Sequence, residues 1–156
     1  MKNILLIATG GTIASGYTRE GLVPTIAAEE LLGYVEGYRE FCRVDVVQPF
    51  HLDSTNVCGR HWLQLAAAVE ERYEEYDGFV ICHGTDTMAF TAAALSYLIQ
   101  NAAKPIVVTG AQKPIDLPVT DARTNLLDSL RFASDPRAHG VSIVFGGNVI
   151  AGTRAK

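Results

Sequence analysis

Residues 78–110, GFVICHGTDTMAFTAAALSYLIQNAAKPIVVTG, decide the fold class. GFVICH (78–83) is a short apolar run that reads as a buried strand, and PIVVTG (105–110) reads the same way. Between them MAFTAAALSYLIQNA (88–102) reads as a helix. Strand, polar loop, helix, strand is the unit that builds parallel neighbours, because two parallel strands can be joined only by a crossover. The alternation extends in both directions. NILLIAT (3–9) is an apolar strand stopped by Gly10-Gly11, the Gly- and polar-rich SGYTREGLVP (15–24) reads as a mobile loop, and TIAAEELLGYV (25–35) as a helix. CRVDVVQPF (42–50) is a Val-rich strand halted near Pro49. Trp62, Leu65, Ala66, Val69, Tyr73 and Tyr76 fall on one face of a long helix, and Ala122, Leu126, Leu130 and Ala133 on one face of a helix over 121–133. GVSIVFG (140–146) supplies a fifth strand. The expected fold is α/β: a three-layer, mainly parallel, Rossmann-like sheet with helices on both faces, forming one domain over residues 1–156.

Composition narrows the function. Of 156 residues, 48% are hydrophobic and 19% charged, enough apolar surface for a packed core. Thirteen Lys+Arg against 17 Asp+Glu give a net charge of −4, which leaves no basic footprint for nucleic acid or an anionic membrane. The apolar run Ile4–Ala8 is too short for a signal-peptide core or a membrane span. Three cysteines, Cys42, Cys58 and Cys82, form no C-x-x-C pair and fit free thiols in a reducing cytoplasm. Glu70, Glu71, Glu74 and Glu75 read as a solvated helix face, and His51, His61, His83 and His139 show no ligand spacing, so no metal is expected.

In open α/β sheets the ligand site lies beyond the carboxyl ends of the strands, where strand order reverses. The segments just after the strands are TGGT, HLDSTN, HGTDT, GAQKP and GGNVIAGTRAK. Two of them place a threonine directly after glycine, Thr12 and Thr85. Glycine there lets the backbone turn sharply and leaves N–H groups free for a developing oxyanion, and a threonine hydroxyl becomes a nucleophile when a neighbour takes its proton. Asp86, Tyr17 and a C-terminal lysine are the local candidates for that neighbour. The phosphate-loop lysine and the G-x-G-x-x-G spacing of nucleotide folds are both missing. His83 reads as a structural histidine that bonds backbone near the turn.

LIATGGTIA (6–14) and GFVICHGTDTM (78–88) resemble the two signatures of the bacterial-type L-asparaginase family, and Asp53-Ser54 and Thr109-Gly110-Ala111 follow at matching order and spacing. The resemblance covers the whole chain and is nearest to the cytoplasmic type I enzymes. It implies hydrolysis of L-asparagine to L-aspartate and ammonia without a cofactor, through an acyl-enzyme on threonine, in a homo-oligomer. Carried over, it makes Thr12 the nucleophile with Tyr17 as its hydrogen-bonded partner, and gives Thr85 the activation of water or orientation of the amide. Asp86 and Asp53 would hold the substrate ammonium, and Ser54 its carboxylate. Gly11, Gly84 and Ala111 complete the expected substrate-binding set. Asp53 and Ser54 also suit a helix cap, which is compatible with binding. The family's catalytic lysine would fall at position 157 by the count from Gly152, or at Lys156 with a one-residue slip. The family's smaller C-terminal domain has no counterpart in these residues, so the chain resembles an N-terminal half of reduced activity. Two other readings stay open: an amidase-type component of a tRNA-dependent amidotransferase, and a non-catalytic module that binds a small amino acid through Asp53, Ser54 and Asp86.

Overall fold

A computed structural model describes residues 1–19 and 21–156. Six strands form one sheet: β1 (Lys2–Ala8), β4 (Cys42–Val47), β5 (Gly78–Cys82), β6 (Pro105–Thr109), β7 (Gly140–Phe145) and β8 (Asn148–Ala151). Their order is β4-β1-β5-β6-β7-β8, parallel throughout except for β8, which runs antiparallel to β7. The sheet is therefore the mainly parallel one expected.

Alternate residues of the central strands feed two cores, as the period of two requires. Ile4, Leu6, Ala8, Val80, Cys82 and Val107 join one apolar cluster, which α1 (Ala28–Leu31) and α4 (Ala122–Ser134) close. Leu5, Ile7, Phe79, Ile81, Ile106 and Val108 join the other, under α2 (Gly59–Glu70) and α3 (Met88–Leu98). Both faces of the sheet are covered, which is why β5 and β6 read as unbroken apolar runs.

The elements depart from the sequence reading in several places, among them β4, which ends at Val47 instead of 50, and α3, which ends at Leu98 instead of 102. Residues 15–24 form a hairpin of β2 (Ser15–Thr18) and β3 (Gly21–Pro24), antiparallel with Tyr17 opposite Leu22; Glu20, inside the expected loop, lies outside the described residues. The helix expected over 25–35 is one α-helical turn followed by a 3-10 turn at Leu32–Tyr34. Its start is drawn away, because the N–H groups of Thr25 and Ile26 both donate to the Ala14 carbonyl at 3.0 Å. The long helix stops at Glu70; Tyr73 and Tyr76 still pack on the same core from the following turns, with Tyr73 stacked on Phe79 at 5.9 Å between ring centroids. Finally, β8 is a strand where the sequence shows only a segment that follows one.

Candidate functional site

β1 pairs with β4 on one side and β5 on the other, so strand order reverses beside β1, and the loops after β1, β4 and β5 meet there. Backbone bonds tie them. Thr9 donates to the Cys82 carbonyl from both its N–H (3.1 Å) and its hydroxyl (2.8 Å). Leu52 N–H donates to Thr9 O at 2.8 Å, and Gly11 N–H to Leu52 O at 3.2 Å.

Close approach explains the glycines. Gly11 holds φ at +77°, and a Cβ there would stand 2.6 Å from both Cα and N of Gly84. A Cβ on Gly84 would stand 2.6 Å from Cβ and Oγ of Ser54. The two Gly-Thr steps are thus pressed backbone to backbone, with Ser54 against the second. Among the described residues, the N–H groups of Thr12 and Thr85 make no hydrogen bond. Thr87 donates its hydroxyl to Ser54 O at 2.8 Å, pinning the loop after β4 to the loop after β5.

Ser54 is 3% exposed and opens a 3-10 turn over Ser54–Asn56 that Asp53 caps. Asp53 Oδ1 accepts from Thr55 N (2.8 Å) and Thr55 Oγ1 (2.7 Å); the hydroxyl and then the amide hold its carboxyl below the usual carboxylate range. The capping role is therefore occupied, and both bonds fall on one oxygen.

Thr85 and Asp86 line a groove of about 620 Å³ together with Gln112, Phe90, Ile143 and Lys156. The structure thus gathers Gly11, Gly84, Ser54 and the two threonines at the loop junction, and brings Lys156 to the groove that holds Thr85 and Asp86. Ala111 is buried in the loop after β6. Tyr17 is 72% exposed on β2 and makes no hydrogen bond to Thr12.

Cys82 and His83 adjoin the site, yet neither has the environment of a nucleophile–base pair. Burial pushes the Cys82 thiol up to about 12, which keeps it protonated. His83 is fully buried; its Nδ1 lies 2.7 Å from Gly84 O and its Nε2 2.9 Å from Thr91 Oγ1. Burial, against a smaller opposing effect of the Gly84 bond, lowers its pKa from 6.5. The unfolded chain then binds a proton that the folded chain refuses, so stability falls with pH below about 6.5, by at most about 1.4 kcal/mol per unit. Urea unfolding at pH 7.5 and 5.5, with the His83 ring followed by NMR, checks this. Titration of that ring at pH 6.5 in the native protein would contradict it.

Sequence reading missed Asp121 and Asn125. The Asp121 carboxylate accepts from Gln112 N (2.9 Å) and Lys113 N (3.1 Å). Asn125, 2% exposed, donates to Gly110 O (3.0 Å) and to Asp121 Oδ2 (3.2 Å), and accepts from Gly146 N (3.0 Å). It joins the loop after β6 to the turn that leads into β8. The available signal was position: Asn125 falls three residues after Ala122 and one before Leu126, on the buried face of α4. Asn125→Leu strands three partners and is expected to lower unfolding free energy by about 2–4 kcal/mol in urea melts. A loss under about 0.5 kcal/mol would show that water replaces the clasp.

A model of the family described as Asparaginase, N-terminal, matches residues 3–156. The chain belongs to the asparaginase family. Among its relatives is an L-asparaginase of Thermococcus kodakarensis, 39% identical over 152 residues, a match covering 97% of this chain and 46% of the relative. Another is a component of the glutamyl-tRNA(Gln) amidotransferase of Pyrococcus abyssi, 38% identical over 149 residues, covering 94% of this chain and 34% of that protein. The solved structure of the thermostable L-asparaginase from Thermococcus kodakarensis superposes with a TM-score of 0.88 at 36% identity, over 96% of this chain and 46% of that one. This asparaginase-family chain spans about half the length of the L-asparaginase it matches, or less. Among its described residues, no helix is long and apolar enough to cross a membrane.

Proposed function

We propose that this chain forms the N-terminal catalytic half of an amidohydrolase that converts L-asparagine to L-aspartate and ammonia. The observation that carries the reading is the contact of the two Gly-Thr steps, Gly11-Thr12 against Gly84-Thr85, with both threonine N–H groups free of other partners among the described residues.

In this reading Thr12 Oγ attacks the side-chain amide carbon as its proton passes to a neighbouring base, with Tyr17 reaching the site by closure of its hairpin. The carbonyl oxygen gains charge and takes the N–H groups of Thr12 and Thr85. The C–N bond breaks, ammonia leaves with the transferred proton, and an ester of Thr12 remains. Water, oriented by Thr85, attacks that ester, giving aspartate and the restored hydroxyl. Asp86 and the free oxygen of Asp53 hold the ammonium group of the substrate, Ser54 its carboxylate, and Gly11, Gly84 and Ala111 supply backbone contacts. Lys156, in the groove with Thr85 and Asp86, supplies the cation that the family places near them. The three cysteines are free thiols, which suits a cytoplasmic protein.

The test is ammonia release from L-asparagine and L-glutamine by this chain, beside the chain continued by a second half like that of its relatives. Turnover by the longer protein, with the chain alone at least a hundredfold weaker, is the expected result. Silence from both, with aspartate still bound, would replace the enzyme by an amino-acid-binding module. The likeness to the amidotransferase component favours a second reading, ammonia delivery for Glu-tRNA(Gln) amidation, which a tRNA-amidation assay decides.

A further inference from the structure

Three side chains outside the catalytic set form one continuous hydrogen-bonded line into it. Trp62 Nε1 on α2 lies 3.0 Å from Thr91 Oγ1 on α3; Thr91 Oγ1 lies 2.9 Å from His83 Nε2; His83 Nδ1 lies 2.7 Å from the Gly84 carbonyl oxygen. His83 and Thr91 are both fully buried.

The two ends, together with the complete burial that keeps the His83 ring neutral, fix every proton between them. An indole N–H only donates and a carbonyl oxygen only accepts. Thr91 therefore accepts from Trp62 and gives its single proton to His83 Nε2, which must be the bare nitrogen, so the ring carries its proton on Nδ1 and donates it to Gly84 O. The imidazole is neutral and both its nitrogens are engaged. It has no lone pair for the hydroxyl of Thr85 and no opening to solvent, which excludes it as a general base.

What the line does is set by the peptide on which it ends. The Gly84–Thr85 bond is trans, as no peptide bond in the described chain is cis, so the Thr85 N–H points away from the carbonyl that His83 grips. That N–H makes no hydrogen bond among the described residues. A hydrogen bond accepted at the carbonyl polarises the whole amide and strengthens its N–H as a donor, and linked bonds reinforce one another by roughly 10–30% each. We infer that His83, held by Thr91 and Trp62, is a positioning residue that locks the Gly84–Thr85 peptide plane and sharpens the Thr85 N–H toward the negatively charged oxygen of the reaction intermediate. The inference rests on the amidohydrolase reading for the oxygen it serves, and on the hydrogen-bonded line alone for the peptide it holds.

Thr91→Val keeps the shape and removes the hydroxyl that fixes the ring; Thr91→Ser restores it. Nitrogen-15 NMR of the imidazole in this chain should show the Nδ1–H form in the parent and in Thr91→Ser, and a mixture of tautomers in Thr91→Val. The Thr85 amide proton should shift upfield in Thr91→Val and return in Thr91→Ser. In the turnover assay Thr91→Val should lower kcat by about tenfold, a fraction of the roughly 10²–10³ lost with a whole oxyanion donor, with KM within about twofold. An Nε2–H ring in the parent, or a Thr85 amide unmoved when the tautomer changes, overturns the inference. So does a loss confined to KM. Should Thr91→Val not fold, Trp62→Phe removes only the first donor, and the same upfield shift of the Thr85 amide is required of it. Absence of turnover in every protein, parent included, would sink the amidohydrolase reading while the NMR result still decides whether the line holds the peptide.

Discussion

Gly11→Ala is expected to destabilise the folded chain by about 2–6 kcal/mol, through about 1–3 for a backbone conformation that essentially only glycine adopts and about 1–3 for an overpacked contact. Both causes are present at this residue. Its φ is +77°, and the added methyl would sit 2.6 Å from the Cα and N of Gly84 and 3.0 Å from the carbonyl carbon of His83. All three atoms are backbone, so no flexible side chain can swing aside. Gly84 cannot retreat either, since its own far side meets Ser54, and the His83 carbonyl packs on Gly110, where a Cβ would stand 2.2 Å away. Two companion variants separate the causes. Gly37→Ala, in the left-handed well at φ 82° and ψ −12° with open space around it, gives a lower bound on the backbone cost, because Gly11 at φ 77° and ψ 179° lies where essentially only glycine goes. Gly84→Ala, where only the clash with Ser54 applies, should show the contact cost alone. Urea unfolding of all three with unchanged m-values is the measurement. If Gly11→Ala were no worse than Gly37→Ala, the two loops would not be pressed together, and the geometry of the candidate site would be wrong.

That crowding was visible in the sequence only as glycines. The strands were legible because burial on both faces removes polar residues from them: VIC in β5 and IVV in β6 need no partner to be recognised. The order of elements then gave the parallel sheet, and the rule of carboxyl ends gave the segments that converge. Local pattern failed where a segment is held by something distant. The hairpin at 15–24 carries no apolar alternation, since Ser15, Gly16, Thr18 and Gly21 alternate no hydrophobic face, and its strands are defined by pairing with each other. β8 is exposed along its whole length, so burial left no mark on it. A signal was nonetheless present. Gly146-Gly147, with φ of 57° and 74°, sits between two β-rich runs as a two-residue hairpin turn, a pattern that Gly-Gly announces. Thr91 and Asn125 escaped for a different reason. Each looks like a polar residue on an otherwise apolar helix face, and its value depends on partners 8, 15, 21 or 29 positions away on other elements, which periodicity along one helix does not register.

One residue further along, the expected effect changes kind. Thr12→Ala should remove ammonia release by at least about 10³-fold, the scale seen when a nucleophile is deleted while binding groups remain. It should cost under about 1 kcal/mol in stability, because Thr12 is half-buried and its hydroxyl makes no hydrogen bond among the described residues. Gly11→Ala and Thr12→Ala are thus neighbours with opposite signatures, one read in unfolding and the other in turnover. Thr12→Ser keeps a hydroxyl at the same place, primary instead of secondary, and should retain measurable activity, which a purely steric role for the threonine would not require. Thr85→Ala should also be severe, and the double variant little worse than Thr12→Ala alone, because groups that act as one unit do not add. The measurements belong on the chain and on the chain continued by a second half, with aspartate binding as the control for an intact pocket. Retained turnover in Thr12→Ala would move the nucleophile to Thr85, and additive losses in the double variant would mean that the two threonines, though held together by touching glycines, serve separate steps.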